Sequence, residues 1–494
     1  MQELEPRFGT GKGAEGIVMD VNTGAVLAMA SLPTYDLNAP GKVYNDFLTS
    51  GMTEEQIEEN MKDLLNKQWR SKAINDTYEP GSTFKTLTLA MALEENVVDL
   101  NTGFYCSGSV KIEGETINCS KRAPGHGQQN LTQAFANSCN PAFINIGLRI
   151  GNDKFYQYML DFGLTEKTSI DTTGEASGFV NSEIKYSTLA LACYAFGQNF
   201  NVTPIALLAA QCACVNGGYL YTPYLVEEIT DQDGNVVSKH DSTPIRQVVS
   251  EETSALVRDI MEYEVTSGTG KNGQVAGYRI GGKTGTADKG QTGDVVVSFL
   301  CFAPADDPQV IMLITMDTPS RATGTYVSGG NMVAPTASTV MAEILPYLGV
   351  EPSYSAEELL GMDTTVPNVI GMSVEEAKAK LKDRALSYKI VGDGETITDQ
   401  TPAGGAIIPG KSSVILYAGE EKSTGKCVVP HLIGKTPSEA NTTATAAGLL
   451  IRFSGTTGSE SSSVRVLSQS IDEGTEVEAG TVITVQLGDT SVTD

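Results

Sequence analysis

The chain has 494 residues, 40% of them hydrophobic, and 34 basic against 60 acidic side chains give it a net charge of −26. That length can bury a catalytic-size domain with smaller modules beside it, and the acidic balance excludes nucleic-acid or anionic-membrane binding through a basic patch. No apolar run is long enough to span a bilayer, "MQELEPRFGT" at the start is no signal peptide, and eight cysteines in no zinc spacing with three isolated histidines (His126, His240, His431) argue against metal chemistry.

Residues 15–31, "EGIVMDVNTGAVLAMAS", read as a hairpin of two apolar strands around Asn22-Thr23-Gly24. "TEEQIEENMKDLLNKQW" (53–69) is charged and amphipathic and belongs on the outside. In "YEPGSTFK" (78–85) a Pro-Gly pair precedes a long apolar run: Phe84, Leu87, Leu89, Ala90, Met91, Leu93. A helix over 82–95 therefore opens with Ser82 and carries Lys85 one turn in. A buried ammonium is costly unless something neutralises or uses it. Positions i and i+3 share a helix face, and the helix N-terminus directs partial positive charge at the same spot. Both effects favour a neutral Lys85 able to take a proton from Ser82. S-x-x-K alone is a weak signal, since it recurs at Ser182 and Ser423, but only Ser82 leads into such an apolar run.

Helical stretches follow at 129–150, 186–196 and 203–216. Within the first, "NSCNPAF" sets Ser138 and Asn140 in an S-x-N arrangement, where a hydroxyl can relay a proton and an amide can hold a substrate amide. "GGKTGTAD" places Lys283, Thr284, Gly285 and Thr286 on a strand edge, its glycines admitting a substrate backbone. A second cation there can bind a carboxylate and disfavours protonation of Lys85. "DVVVSFLCFAPADDPQVIMLITM" (294–316) is a strand pair around a Pro/Asp turn. Strands at both ends of residues 1–362 enclosing a helical middle give one α/β (α+β) unit, a sheet of N- and C-terminal segments with helices packed on it.

Two similar segments close the chain, "VPNVIGMSVEEA" from Val366 and "VPHLIGKTPSEA" from Val429. Each has a capping signature before a short helix, Ser373 with Glu376 and Thr436 with Glu439, the latter with Pro437 at the first helical position. Each ends in an alternating strand, so one small helix-on-sheet module is written twice, over 363–421 and 422–494. "EEKSTGKC" (420–427) is the polar linker.

With S-x-x-K, S-x-N and K-T-G in this order, and with "HGQQNLTQAFANSCNPAF", "FGQNFNVTPIALLAAQCACVNGG" and "SGGNMVAPTAS" around them, residues 10–350 resemble the transpeptidase domain of class B penicillin-binding proteins. The two trailing copies resemble PASTA repeats, small extracytoplasmic modules of some Gram-positive wall enzymes and kinases, although Ser470-Ile471 replaces Thr401-Pro402 in the second. The combination is most similar to the sporulation (stage V protein D-like) and septal division members. The resemblance implies a penicillin-binding transpeptidase/serine β-lactamase-like sheet with flanking helices, and an acyl-serine transfer that cross-links peptidoglycan stem peptides and is blocked by β-lactams. It implies Ser82 as nucleophile, Lys85 as its base, Ser138 as proton relay and Asn140 as the group that orients the peptide. Lys283 and Thr284 would anchor substrate, and the N–H groups of Ser82 and Thr286 would form the oxyanion hole. It implies no cofactor and no nucleic acid, a membrane glycosyltransferase as partner, and a place on the extracytoplasmic face of the membrane with the anchor upstream. The PASTA copies read either as binders of wall fragments or β-lactams or as spacers.

His126 reads as a structural loop residue. Cys193, Cys212, Cys214 and Cys301 sit in apolar stretches as inert core side chains. Cys106 and Cys119 bracket a polar stretch just ahead of S-x-N and form a candidate redox pair, a disulfide ordering the rim of the site, with Cys139 as a third participant. Rival functions are a D,D-carboxypeptidase, a serine β-lactamase, for which Glu175 and Glu183 offer no Glu/Asn deacylating pair, and a catalytically inactive wall-binding scaffold.

Overall fold

The computed structural model describes residues 12–44, 46–290, 293–353, 363–410, 412–420, 426–456 and 463–491. Two compact units emerge, Met1–Gly273 with Arg279–Met341, and Gln274–Tyr278 with Ala342–Ser491. The strands of the first are β1 (Ala14–Asp20), β2 (Val26–Leu32), β3 (Phe104–Cys106), β4 (Ser109–Ile112), β5 (Glu115–Asn118), β6 (Gly127–Gln129), β7 (Gly281–Asp288), β8 (Val295–Ala303) and β9 (Val310–Asp317). The main sheet runs β7-β8-β9-β1-β2 with every neighbouring pair antiparallel, so the two ends of the unit do build one sheet. Every residue of β8 is buried, which accounts for an apolar run interrupted only by Ser298 where a half-exposed strand would alternate.

Helices α1 (Lys85–Glu94), α2 (Leu131–Ala136), α3 (Asn140–Ile150), α4 (Thr188–Tyr194), α5 (Pro204–Val215) and α6 (Glu251–Ser267) pack beside it. All twelve residues of α5, and Lys85 to Leu93 of α1, are buried, as all-round apolar helices must be. The stretch expected as one helix over 129–150 is two. An Asn130–Gln133 capping box opens α2, and the chain breaks at Asn137–Cys139, where Ser138 takes φ +50°. The amphipathic stretch over 53–69 likewise divides at Asn60, into Glu54–Glu59 and Met61–Gln68. No helix among the described residues is long and apolar enough to cross a membrane.

Each C-terminal repeat lays one helix on a three-stranded sheet. In the first, α7 (Val374–Lys382) accompanies β10 (Ser387–Val391), β11 (Asp399–Thr401) and β12 (Ser413–Tyr417). In the second, α8 (Pro437–Ala446) accompanies β13 (Leu450–Gly455), β14 (Val464–Gln469) and β15 (Val482–Asp489). In both, the last strand is central, parallel to the first and antiparallel to the second. Both capping boxes form as read. Most of the expected linker lies outside the described residues, and its end is ordered as a strand, Lys426–Val428, paired with Glu476–Glu478.

A glutamine does the same work in each copy. Gln400 accepts from Val369 N (2.8 Å) and donates to the Pro367 and Pro402 carbonyls (both 3.1 Å). Gln469 accepts from Leu432 N (2.9 Å) and donates to the Pro430 (3.3 Å) and Ile471 (2.8 Å) carbonyls. The acceptor two residues on is a main-chain carbonyl, so Ile471 serves where Pro402 does and the departure in the second copy keeps this hydrogen bond. Because Gln400 is fully buried, Gln400→Ala leaves these groups unsatisfied and is expected to cost about 1–3 kcal/mol. Hydrogen exchange of the intact chain should then quicken across residues 363–420; unchanged exchange would contradict this role.

In the main sheet, Glu15 on β1 is buried and accepts from Thr315 Oγ1 (2.8 Å), while its Oε2 has no hydrogen-bond partner among the described residues. Burial pushes its carboxyl up from 4.5 to about 7, against the lowering effects of Thr315 and Lys72. A raised carboxyl contributes stability that is fully present below the unfolded value and lost as pH rises through the folded one. Glu15→Gln is therefore expected to stabilise the fold by about 3 kcal/mol above pH 7 and by nothing near pH 4.5, read from denaturant midpoints at the two pH values.

Candidate active site

The nucleophile candidate sits in a 3₁₀ turn, Gly81–Phe84, that runs directly into α1. Residues i and i+3 eclipse in a 3₁₀ turn, which places Ser82 and Lys85 one above the other more closely than the α-helix expected at this point. Lys85 Nζ lies 3.1 Å from Ser82 Oγ. The turn is pinned by backbone: Gly81 N donates to Gly197 O (2.9 Å), and Gly81 takes φ +56°. A Cβ at Gly81 would stand 2.9 Å from the Thr286 carbonyl oxygen, so only glycine lets the nucleophile turn rest against β7.

The break between α2 and α3 supplies the second half. Lys85 Nζ donates to the Ser138 carbonyl (2.7 Å) and to Asn140 Oδ1 (2.8 Å), and lies 3.1 Å from Ser138 Oγ. Asn140 Nδ2 donates to Asn118 O (3.0 Å), which fixes the amide's orientation. The carbonyl and Asn140 Oδ1 can only accept, so they engage N–H bonds of the amine. Its contacts with Ser82 and Ser138 are to hydroxyls, which can give a proton as well as take one. All four residues expected to be catalytic therefore meet at one buried amine.

Lys283, Thr284, Gly285 and Thr286 lie on β7, the edge strand of the main sheet, and Lys283 and Thr284 are fully buried. Gly285 packs so closely that a Cβ there would meet Ser298 Oγ at 2.3 Å and Thr83 Cγ2 at 2.9 Å. Lys283 Nζ donates to Thr284 O (3.1 Å) and stands 3.6 Å from Glu264 Oε1, both side chains fully buried. Glu264, in the last turn of α6, also accepts from Thr269 Oγ1 (2.7 Å), which is 2.6 Å from Thr284 Oγ1. Phenyl rings link the two lysines. Lys85 lies over Phe143 (5.5 Å) and Lys283 over Phe135 (5.6 Å), with the ring centroids 6.0 Å apart. Glu264 offsets the Lys283 charge, so the field of Lys283 on Lys85 is weaker than K-T-G alone suggests.

Sequence reading missed Glu264, Thr269, Phe135 and Phe143. Glu264 was within reach of it, being a carboxylate on the buried stripe Val257, Ile260, Met261, Glu264, Val265. The expected Cys106–Cys119 disulfide is absent: both are buried free thiols, gathered with Cys139 and His126. The Cys119 sulfur is 3.5 Å from His126 Nδ1. A hydrogen bond with Cys139 holds the Cys119 thiol well below its usual range, with His126 assisting, and the same bond pushes Cys139 up. Glu175 is no candidate base either. Its carboxylate braces a loop, accepting from Thr168 N (2.7 Å), Thr168 Oγ1 (2.6 Å) and Ser169 N (3.1 Å).

A sequence profile described as the penicillin binding protein transpeptidase domain matches residues 16–342, and a PASTA domain profile matches 364–420 and 428–489. The chain belongs to the penicillin-binding protein transpeptidase family. It is 38% identical over 425 residues to the stage V sporulation protein D of Bacillus subtilis, covering 83% of this chain and 61% of that protein. Identity is 29% over 369 residues to a peptidoglycan D,D-transpeptidase FtsI homolog of Mesostigma viride, covering 68% of this chain and 57% of that one. The chain thus spans less than two thirds of these curated relatives. Among solved structures, the D,D-transpeptidase domain of an Eggerthella lenta peptidoglycan glycosyltransferase superposes with TM-score 0.59 at 29% identity, covering 71% of this chain and 81% of that one. Penicillin binding protein 3 of Mycobacterium tuberculosis, complexed with ampicillin, gives 0.61 at 25%, covering 72% and 76%. In this penicillin-binding protein fold, removing the charge of Glu264 strands a buried ammonium. Glu264→Gln is expected to destabilise the domain by about 3 kcal/mol, seen as a lower unfolding midpoint; an unchanged midpoint would show that the pair carries no net stabilisation.

Proposed function

We infer that the chain is a peptidoglycan D,D-transpeptidase that acts through an acyl-serine. The observation that carries this reading is the buried Lys85 amine, 3.1 Å from both the Ser82 and Ser138 hydroxyls and held by the Ser138 carbonyl and Asn140 Oδ1. Lys85 takes the Ser82 proton as Oγ attacks the carbonyl of the penultimate D-Ala in a stem peptide. The C–N bond to the terminal D-Ala breaks, and Ser138 passes the proton to the leaving amine. An amine of a neighbouring stem then attacks the ester, forming the cross-link and returning the proton to Ser82. Asn140 orients the bound peptide, Lys283 and Thr284 hold its carboxylate, and the N–H groups of Ser82 and Thr286 stabilise the oxyanion. The contact of the Gly81 turn with Thr286 supports that last pairing.

The division of labour follows the domain boundaries read from sequence: catalysis in 1–362, and repeats at 363–421 and 422–494 that bind wall fragments or space the enzyme. The site works on the extracytoplasmic face of the membrane beside a wall glycosyltransferase, supported by the kinds of protein the chain resembles. The bracing of Glu175 favours transfer to an amine over lactamase turnover.

A labelled penicillin mixed with the intact chain should give one long-lived adduct, located on Ser82 by mass spectrometry. Ser82→Ala should abolish it, and Lys85→Ala should slow it by about 10²–10⁴-fold. An adduct elsewhere, or rapid release of hydrolysed drug, would overturn the reading.

A further inference from the structure

Four segments separated in sequence bring three thiols and an imidazole to one point beside the S-x-N turn. Cys106 ends β3, Cys119 follows β5, His126 precedes β6, and Cys139 caps α3. The β3–β6 ladder pairs Cys106 with Gly127, next to His126, and Cys119 N donates to Gly108 O (2.9 Å). One ligand-type atom from each of the four residues lies within 4.8 Å of all the others, and Cys119 Sγ is 3.5 Å from His126 Nδ1. A tetrahedron with zinc–sulfur bonds of about 2.3 Å and a zinc–nitrogen bond of about 2.0 Å has edges of about 3.5–3.8 Å. The four atoms therefore need to close by about an ångström at most, within the reach of χ1 and χ2 adjustments.

Three buried cysteines could simply be small core side chains, but an imidazole nitrogen within reach of the sulfur cluster does not belong to an apolar core. A disulfide would use two sulfurs and leave the third beside the histidine, whereas a metal uses all four groups. We propose that Cys106, Cys119, His126 and Cys139 hold one zinc ion in a closed Cys3His site that fixes the S-x-N turn. Soft thiolates in tetrahedral array select zinc over magnesium, calcium or manganese. Four protein ligands leave no position for water, so the ion is structural and takes no part in the acyl transfer. Binding takes all three sulfurs as thiolates and releases whatever thiol protons remain to solvent.

The site goes beyond the transpeptidase reading but touches its machinery. Cys139 is the middle residue of S-x-N, between Ser138 at φ +50° and Asn140, whose amide already donates to Asn118 O beside Cys119. Chelation ties this turn to the β3–β6 segment through a second, stronger link. The four residues are positioning residues: they hold Ser138 and Asn140 against Lys85 and touch no substrate.

The intact chain, purified under reducing conditions without chelator and loaded with zinc sulfate, should carry about one zinc per chain by plasma mass spectrometry after desalting. Cobalt loading should give thiolate-to-metal charge-transfer and tetrahedral d–d bands. Cys106→Ser and His126→Ala should lose the zinc while Cys301→Ser keeps it. Absence of zinc and of cobalt bands in the unmodified chain, or full zinc in both ligand variants, would overturn the site, and the cobalt spectrum decides even where a variant fails to fold. For the positioning role, the stripped chain should react with labelled penicillin about 10–100-fold more slowly than the zinc-loaded chain; equal rates would overturn it. Metal content is read without penicillin, so failure of the acyl-serine reading leaves the zinc result standing, and the reverse.

Discussion

The architecture around the site is organised by one amine that has left water. Lys85 is fully buried, and a primary amine in that position needs polar partners arranged for it in advance. They arrive from a turn 53 residues further on, where Ser138 must adopt a left-handed backbone to aim both its carbonyl and its hydroxyl at Nζ. The helix carrying Lys85 must be apolar on all sides to bury it, and the sheet edge must contain glycines for the preceding turn to lie flat on it. Each local oddity of the sequence, taken alone a departure from good helix or strand chemistry, answers to that requirement.

A second buried cation complicates the arrangement. Lys283 shares its aromatic surroundings with Lys85 through Phe135 and Phe143, and two uncompensated positive charges in one apolar region would repel strongly. Glu264 supplies the compensation from the last turn of α6. The pair offsets the charge of Lys283 within the same buried region.

What the sequence disclosed was whatever local rules encode. The hairpin at 15–31 and both capping boxes follow from spacing within a few residues and stand in the structure as read, whereas the S-x-x-K pair meets across a 3₁₀ turn in place of the expected α-helical face. The division of 129–150 into two helices escaped because nothing in "ANSCNPAF" forbids a helix except Pro141, which a first helical turn tolerates. Glu264 was hidden among surface-type acids of α6, though its place on the apolar stripe marked it out. The sulfur–imidazole cluster escaped for a deeper reason. Its four residues lie on separate short strands and loops, whose convergence depends on pairings such as Cys106 with Gly127 that no local spacing announces. A search for a compact zinc motif could not find it, and reading the thiols two at a time led to a disulfide that the structure lacks.

Where Gly81, Gly197 and Thr286 meet, main chain touches main chain. A Cβ on Gly197 would come within 2.0 Å of the Gly81 carbonyl oxygen, and one on Gly81 within 2.9 Å of that of Thr286. The seat of the serine is thus shaped by peptide groups, which substitutions other than proline leave chemically unchanged. A side chain at either glycine would push these main chains apart, so changes that retune reactivity have to come from side chains farther out, acting on entry and orientation.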